Sequence, residues 1–400
     1  MFERLDRLNE DPILGLMARY RADPAPDKVD LGVGVYRNLD GETPVLAAVR
    51  SAEASVIGAQ TTKSYVAPAG RAEFNAAVAD LVLGPAHAAL RERRARTVQA
   101  PGGCGALRLG AELIRASAPT AVVHVSDPSW ANHIPLLGGC GLQLARYPYY
   151  DAAAHALRFE SMLECLERAP AGDVVLIHAC CHNPTGADLS GPQWTALIDL
   201  LERRRLTPFL DLAYQGLGTG LDADAEGVRR VAERIPELLV AVSFSKNLGL
   251  YRERAGALIA VCADVDRADA VHSHLLQIAR SIYSMPPDHG AAIAARVLAD
   301  PLLRESWIAE LGEMRGRLVG MRALLAGRLR AATGGGDFDF LTGQSGMFSL
   351  LGVSGAAVAA LRDEHHIYMT ADSRMNVAGI LPGNAQHVAD SVAAILRRGI

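Results

Sequence analysis

The chain has 400 residues, of which 50% are hydrophobic and 21% charged, and its formal net charge is −4. This composition excludes a disordered chain, a collagen and a small disulfide scaffold, and the length allows two domains. The charge gives no basic field, so we expect neither nucleic acid nor an anionic membrane as a partner. An enzyme acting on small molecules is the default expectation.

The first residues, Met1 to Asp11, mix charges of both signs without an apolar stretch, so we expect no signal peptide there. No run of about 18 uncharged apolar residues predicts a membrane span. Six cysteines form no C-x-x-C pair: Cys104, Cys140, Cys165, Cys180, Cys181 and Cys262. They are typical of reduced, mostly buried thiols, so we predict a cytoplasmic protein without a metal site.

A Gly-rich segment precedes the first helical pattern that bears on function. Pro101-Gly102-Gly103-Cys104-Gly105 runs into the pattern Ala106 to Arg115. Backbone N–H groups at such a helix start can bind a phosphate. The segment matches neither G-x-G-x-x-G nor G-K-[ST], which argues against a nicotinamide dehydrogenase and leaves a plain tight turn as the alternative.

Short apolar runs then alternate with helical patterns through the middle of the chain. The predicted buried strands are Ala121 to Val125, Val174 to Ala179, Pro208 to Leu212, Leu238 to Phe244 and Ala257 to Val261, and the helix candidates include Trp194 to Arg205 and Glu226 to Arg234. This alternation predicts an α/β fold with a mostly parallel sheet covered on both faces.

Polar side chains follow three of these strands. Asn183 lies in the turn after the second strand, and Asp211 closes the third, with Tyr214 three residues later. Lys246 follows the fourth strand, and Arg254 comes eight residues after it. Ligands of parallel sheets gather at the carboxyl ends of the strands, so we expect these side chains to share one site.

Lys246 is one of only three lysines, with Lys28 and Lys63, which leaves 37 arginines among the 40 basic residues. A lysine kept at a strand end is therefore a candidate for chemistry that arginine cannot perform, such as losing its proton and attacking a carbonyl. A phosphate cradle, an amine, a carboxylate and a phenol are together the set that pyridoxal 5′-phosphate requires. The residues predict this cofactor, with Lys246 bonding its aldehyde and Asp211 keeping its ring nitrogen protonated.

Ordered motifs span nearly the whole chain. They are Asp11-Pro-Ile-Leu-Gly-Leu16, Leu31-Gly-Val-Gly-Val-Tyr36, Asp127-Pro-Ser-Trp130, Cys181-His-Asn-Pro-Thr-Gly186, Asp211-Leu-Ala-Tyr-Gln-Gly216, Ser243-Phe-Ser-Lys246, Tyr251-Arg-Glu-Arg254, Gly346-Met-Phe348 and Arg374-Met-Asn-Val-Ala-Gly379. Together they resemble the class I aminotransferases of the aspartate and aromatic amino-acid group.

The resemblance implies the type I fold of pyridoxal-phosphate enzymes, an α/β fold whose mostly parallel mixed sheet is sandwiched by helices beside a smaller α+β domain. Residues 1–42 would form an N-terminal arm and part of the small domain. Residues 43–313 would form the large cofactor-binding domain, and residues 314–400 the rest of the small domain.

The same resemblance implies a role for each site residue. Lys246, Asp211 and Tyr214 would be catalytic; Asn183 and Tyr214 would bind the ring hydroxyl, Trp130 would stack on the ring, and His133 would support Asp211. The phosphate would be held by Gly102, Gly103, Cys104, Ser243, Ser245 and Arg254, with Tyr65 of the partner subunit. Arg374 would bind the substrate α-carboxylate beside Gly34, and Arg280 would meet a distal carboxylate across a dimer interface.

Two positions depart from the family pattern. Cys104 stands where the family usually has Thr or Ser, so a side-chain hydrogen bond to the phosphate should be weak or absent. Met285 stands where aspartate-specific members often have Asn. An apolar side chain there favours acceptance of both aromatic and dicarboxylic amino acids over strict aspartate specificity.

The resemblance therefore implies ping-pong transamination from an aromatic or dicarboxylic L-amino acid to a 2-oxo acid, with 2-oxoglutarate expected, in a homodimer with shared sites. Three alternatives stay open. One is a strict aspartate aminotransferase, and another is a pyridoxal-phosphate β-lyase that uses the same Lys246 and Asp211. The third is a non-catalytic regulator, which the lack of a DNA-binding segment disfavours.

Overall fold

The computed structural model describes residues 2–7 and 11–399. The part of the N-terminal prediction that falls on Met1 and Leu8 to Glu10 lies outside the described residues, as does Ile400. Among the helices described, none combines the length and the apolar content that crossing a bilayer requires.

The described strands and helices alternate through most of the chain. The strands are β1 (Val29–Asp30), β2 (Ala95–Pro101), β3 (Val122–Asp127), β4 (Gln143–Pro148), β5 (Tyr150–Asp151), β6 (Ala156–Leu157), β7 (Val174–His178), β8 (Thr207–Leu212), β9 (Leu238–Ser243), β10 (Ala255–Val261), β11 (Phe348–Leu350), β12 (Ile367–Tyr368) and β13 (Arg374–Asn376). The α-helices are α1 (Pro12–Ala22), α2 (Ala47–Ala59), α3 (Ala72–Leu83), α4 (Ala88–Arg91), α5 (Gly102–Ser117), α6 (His133–Gly138), α7 (Phe159–Leu166), α8 (Gly191–Arg204), α9 (Leu221–Arg234), α10 (Val265–Ile282), α11 (Asp288–Ala299), α12 (Pro301–Thr333), α13 (Gly355–His365) and α14 (Ala385–Arg397). Short 3-10 helices cover Phe2–Arg4, Asp339–Gly343 and Val377–Gly379.

A seven-stranded mixed sheet forms the centre, in the order β2-β10-β9-β8-β7-β3-β4. The strands from β9 to β4 pair in parallel, whereas β10 runs antiparallel to both of its neighbours. Every residue of β7 is buried, as expected for a strand covered on both faces. The predicted α/β fold with a mostly parallel sheet is confirmed.

Helices cover both faces of this sheet. Along β7, Val174 and Leu176 join one hydrophobic cluster with α5 and α10, while Val175 and Ile177 join another with α3, α8 and α9. Burying side chains of this size contributes about 1.5–3 kcal/mol each. The packing on both faces therefore holds the carboxyl ends of the parallel strands at fixed positions along one edge.

The five predicted strands are confirmed as β3, β7, β8, β9 and β10, with ends that differ by one or two residues. The helix after the Gly-rich segment begins earlier than predicted, at Gly102 instead of Ala106. The Gly-rich segment is thus the first turn of α5 and not a loop. Gly105 permits this turn, because a Cβ there would lie 2.6 Å from the ring of Pro101.

The remaining elements bring the C-terminal part of the chain to the same edge of the sheet. Helix α12 begins at the Asp300 cap, whose carboxylate accepts hydrogen bonds from two backbone N–H groups, and ends at Gly334 with φ +77°. Strand β11 pairs antiparallel with β13, and β1 pairs in parallel with β12. The division into domains near residues 42 and 313 stays a prediction.

Candidate active site

The carboxyl ends of β3, β7, β8 and β9 open into one cleft of about 710 Å³. Twelve of the predicted site residues line it: Gly34, Gly103, Cys104, Trp130, Asn183, Asp211, Tyr214, Ser243, Ser245, Lys246, Arg254 and Arg374. Gly102 lies beside the cleft, because a Cβ there would be 2.6 Å from Nη2 of Arg254. Residues that are far apart in the chain thus meet at one edge of the sheet.

The amine of Lys246 lies close to the ring of Tyr214, with 5.5 Å between Nζ and the ring centroid. Burial lowers the pKa of Lys246 below its usual range, and the charge of Arg254 acts in the same direction, although Asp211 opposes both. A lowered pKa increases the neutral fraction of the amine. Lys246 therefore has the properties of a nucleophile and base.

Asp211 is a buried carboxylate with one oxygen available to a ligand in the cleft. Its Oδ2 accepts a hydrogen bond from Nε2 of His133 at 3.0 Å, and Nδ1 of His133 lies 2.9 Å from Oγ of Ser129. Burial alone would raise the pKa of Asp211, but the hydrogen bond and charge of His133 hold it below its ordinary value. Asp211 is therefore ionised at neutral pH and can face a protonated ring nitrogen.

Two further histidines extend this row behind Asp211. The ring of His178 lies 5.1 Å from that of His133 and 4.1 Å from that of His182. Burial lowers the pKa of His178 to about 3 and that of His182 well below its usual range, so both rings are neutral at neutral pH. His178 and His182 therefore add no positive charge behind the His133–Asp211 pair at neutral pH.

Asn183 and Tyr214 present an amide and a phenol side by side. Nδ2 of Asn183 lies 3.4 Å from the hydroxyl of Tyr214, and Oδ1 of Asn183 is buried without a partner among the described residues. Burial raises the pKa of Tyr214 above its usual range, so its hydroxyl stays protonated. The pair can therefore bind an oxygen substituent on a ring held in the cleft.

The start of α5 forms a cradle with the residues after β9. Pro101 gives the helix no side-chain cap, so its first backbone N–H groups are available to a ligand. Oγ of Ser245 lies 3.3 Å from Nη1 of Arg254 and 3.2 Å from Oγ of Ser243. Two hydroxyls, a guanidinium and a helix start together suit a phosphate dianion.

Cys104 lines the same cradle. Its Sγ lies 3.8 Å from Nδ2 of Asn132, which is a weak sulfur contact. The weak phosphate hydrogen bond predicted for the Cys104 thiol stays a prediction.

Arg374, at the start of β13, lies on the opposite wall of the cleft. Its Nη2 donates to the carbonyl of Gly32 at 2.9 Å, and its guanidinium lies 4.6 Å from the ring centroid of Phe348. Nε of Arg374 is buried without a partner in the part of the chain that the structure describes. Gly34 leaves room here, since a Cβ there would be 3.0 Å from the Phe348 ring. The guanidinium suits a carboxylate.

Tyr65 and Arg280 lie away from the cleft of their own chain. Tyr65 is 91% exposed, and Arg280 is an exposed residue of α10 whose guanidinium donates to Ser284. The residues on either side of Tyr65 line a second cleft of about 600 Å³ together with Met285. The roles predicted for Tyr65 and Arg280 require a second subunit, so they stay predictions.

Phe348 and Asn132 are among the lining residues that have no role in the prediction from sequence. Phe348 lies inside the motif Gly346-Met-Phe348, so its motif was a usable signal. Asn132 follows Trp130 by two residues but belongs to no motif, and only the fold turns it toward Cys104.

A cluster with metal-ligand chemistry lies below the turn after β7. Donor atoms of Cys180, Cys181 and Asp224 are within 4.8 Å of one another. The Asp224 carboxylate already accepts hydrogen bonds from backbone N–H groups, including that of Gly218 at 2.9 Å. A Cβ on Gly218 would lie 3.1 Å from Sγ of Cys181, so the cluster is tightly packed.

The residues in the main cleft fit pyridoxal phosphate. The available Lys246 amine, the open oxygen of Asp211, the unpartnered Oδ1 of Asn183 and the phosphate cradle correspond to the aldehyde, ring nitrogen, ring hydroxyl and phosphate of the cofactor.

Comparison with known proteins agrees with this chemistry. The family model for aminotransferase class I and II matches residues 26–392. An aspartate aminotransferase of Salmonella typhi is 43% identical over 396 residues, which cover 99% of this chain and 100% of that protein. An aromatic-amino-acid aminotransferase of Pseudomonas aeruginosa is 45% identical over 394 residues, 98% of each chain.

A solved structure shows the same fold. The aromatic-amino-acid aminotransferase from Burkholderia pseudomallei, covalently bound to pyridoxal phosphate, superposes with a TM-score of 0.97 over 99% of both chains at 45% identity.

Proposed function

The chain belongs to the class I and II aminotransferase family and is a pyridoxal-phosphate-dependent aminotransferase; from this premise we propose that it takes the amino group from both aromatic and dicarboxylic L-amino acids. The acceptor is a 2-oxo acid, with 2-oxoglutarate as the expected one. The observation that carries the proposal is one cleft in which the Lys246 amine, the Asp211 carboxylate and the Arg374 guanidinium meet.

The chemistry divides between the cofactor and the chain. When bound, pyridoxal phosphate supplies an aldehyde that takes up nitrogen and a ring that withdraws electrons from the substrate Cα. Asp211 would keep a proton on the ring nitrogen, and Tyr214 would donate a hydrogen bond to the ring hydroxyl oxygen. Nζ of Lys246, with its lowered pKa, would take the proton from the substrate Cα and deliver it to C4′ of the cofactor. Arg374 binds the α-carboxylate and thereby orients the Cα–H bond toward Lys246.

Broad specificity is supported by Met285 and by the names of the relatives. Met285 lines the second cleft together with the residues that flank Tyr65, and in the proposed dimer its apolar side chain would accommodate an aromatic ring of the substrate. Relatives of similar identity are named aspartate and aromatic-amino-acid aminotransferases. A strict aspartate aminotransferase is the competing function.

The proposal includes a homodimer with shared sites. Tyr65 and Arg280 lie outside the cleft of their own chain, and both are exposed. Each would act in the cleft of the partner subunit, Tyr65 on the phosphate and Arg280 on the distal carboxylate of the substrate. The six cysteines are free thiols, which supports a cytoplasmic enzyme.

The test of substrate class is Arg280→Leu. Losing a bidentate ion pair in a closed site costs about 2–5 kcal/mol, so kcat/KM for aspartate should fall about 30- to several-thousand-fold. Phenylalanine has no distal charge and should change by less than about tenfold. The rates are measured in single-turnover half-reactions, which are monitored by the visible absorbance of the bound cofactor. These reactions contain no 2-oxoglutarate, whose own distal carboxylate would otherwise also depend on Arg280. Arg267→Leu, on the exposed start of the same helix, is the matched control.

Two outcomes would contradict the proposal. An equal loss for aspartate and phenylalanine would show that Arg280 has a structural role only. If the wild-type enzyme is inactive with phenylalanine, the protein is a strict aspartate aminotransferase instead. Release of pyruvate and ammonia from a single amino acid would instead indicate a β-lyase.

A further inference from the structure

Arg322 of α12 is a buried cation that serves no role in the chemistry described above. It is 2% exposed, and burial lowers its pKa to about 10, so it is still charged at neutral pH. Its guanidinium donates to uncharged groups: the carbonyl oxygens of Leu341 at 3.3 Å, Ser345 at 3.1 Å, Gly346 at 3.0 Å and Phe348 at 2.7 Å, and Oγ of Ser349 at 2.5 Å. Burying a charge without a carboxylate in contact is costly, so these contacts need an explanation.

All five acceptors belong to the segment that leads into and forms β11. Three successive contacts, at Ser345, Gly346 and Phe348, fix the backbone immediately before and at Phe348. The next residue is fixed through its side chain, since Oγ of Ser349 also donates to Oε1 of Gln344 at 2.5 Å. Arg322 therefore sets the path of the chain at the point where Phe348 enters the cleft.

The same segment touches the turn after β7. The backbone N–H of Ser345 donates to the carbonyl of Gly186 at 2.8 Å. Gly186 has φ +68°, and a Cβ there would lie 2.4 Å from the carbonyl oxygen of Phe348. Asp188 completes the junction, accepting from Oγ of Ser345 at 2.5 Å and from the backbone N–H of Cys181 at 2.8 Å. The turn that carries Asn183 and the strand that carries Phe348 are thus held together.

Phe348 in turn contacts the residue that would bind substrate. Its ring lies 4.6 Å from the guanidinium of Arg374 and 6.0 Å from the ring of Tyr214. A planar guanidinium packed on an aromatic face has a restricted orientation. A shift of Phe348 would therefore move Arg374.

We propose that Arg322 is a positioning residue for substrate binding, which acts by fixing Phe348 and thereby the guanidinium of Arg374. The proposal rests on the function proposed above, in which Arg374 binds the α-carboxylate. Because every amino acid has this carboxylate, the effect of Arg322 is the same for all donors. This separates Arg322 from Arg280, which discriminates between donors.

The test compares Arg322→Met with Arg317→Met. Arg317 lies on the same helix, is half-buried, and also donates to carbonyl oxygens, those of Ala378 and Ile380. The readout is the amino-acid concentration that gives the half-maximal single-turnover rate with aspartate and with phenylalanine. A misplaced binding group can cost up to about a hundredfold, so Arg322→Met should raise this concentration about tenfold or more for both donors. Arg317→Met should raise it less than about threefold.

Two further measurements separate positioning from general damage. Affinity for pyridoxal phosphate, from titration of the apoenzyme, should be nearly unchanged in Arg322→Met. Phe348→Ala should raise the half-saturating concentration by itself, and adding Arg322→Met to it should have little further effect, because both changes act through one contact. If Arg322→Met does not fold, Ser349→Ala replaces it in the test. This variant removes one of the five acceptors of Arg322 and should raise the half-saturating concentration for both donors by a smaller factor.

The proposal is overturned if the effects of Arg322→Met and Phe348→Ala multiply, or if Arg317→Met raises the half-saturating concentration equally. It is also overturned if only one of the two donors is affected. Failure of the proposed function is a separate result, since it would show in the wild-type enzyme as an absence of transamination.

Discussion

Asp211 and Asp173 are two buried carboxylates of the same sheet, each hydrogen-bonded to a histidine, yet only one is suited to chemistry. Asp173 lies at the amino end of β7, where its oxygens accept from His124 at 2.8 Å and from the backbone N–H of Val122 at 3.0 Å. Asp211 lies at the carboxyl end of β8 and lines the cleft, where His133 occupies only Oδ2. The open oxygen, and not burial, distinguishes the functional residue.

Replacing each aspartate by asparagine tests this distinction. Asp211→Asn should lower kcat about 10³-fold or more, because without a carboxylate the ring nitrogen loses its proton and transition-state stabilisation is lost. Asp173→Asn should lower the unfolding temperature while kcat changes less than about threefold, since its contacts are structural. The measurements are steady-state kinetics and thermal unfolding of both variants. A loss below tenfold in Asp211→Asn would show that Asp211 does not face the ring.

At the scale of elements, the site depends on a close approach between the turn after β7 and strand β11. Gly186 ends this turn with φ +68°, and its Cα faces the carbonyl oxygen of Phe348. Gly172 also has a positive φ, +92°, but a Cβ there would meet nothing within 4 Å. The two glycines share a positive φ and differ in the space that a Cβ would have.

Comparing Gly186→Ala with Gly172→Ala therefore separates the backbone strain of a positive φ from the steric clash of the new methyl group with β11. Each alanine should cost about 1–3 kcal/mol for its positive φ. Gly186→Ala should cost about 1–3 kcal/mol more, because the new methyl group would overpack the junction. Urea unfolding of both variants measures the difference. Equal losses of unfolding free energy would mean that the turn and β11 are not in contact in solution.

The sequence predicts those site residues that lie at the end of a strand. Asn183, Asp211 and Lys246 follow apolar runs that the structure confirms as strands, so topology alone brings them together. Arg322 gives no such signal, because it is one of 37 arginines and its burial depends on packing between distant elements. The early start of α5 depends on glycine contacts that no helix pattern contains.

For the whole molecule, the central prediction is that each complete site draws on two chains. Lys246→Ala and Arg280→Leu should each be nearly inactive with aspartate. Mixed from unfolded chains and refolded together, they form hybrid dimers in which one cleft has both Lys246 and a partner's Arg280. Random pairing predicts recovery of about a quarter of wild-type activity. If hybrid dimers form but no activity with aspartate is recovered, Arg280 does not act across the interface.

The most direct test of the proposed active site is to identify the lysine that forms the covalent bond to pyridoxal phosphate. Reduction of the loaded enzyme with borohydride, followed by peptide mass spectrometry, locates the bond on one of only three lysines. We expect a stoichiometric adduct on Lys246 and none on Lys28 or Lys63, with adduct and turnover both lost in Lys246→Ala. An adduct on another lysine, or turnover at the wild-type rate in Lys246→Ala, would contradict it.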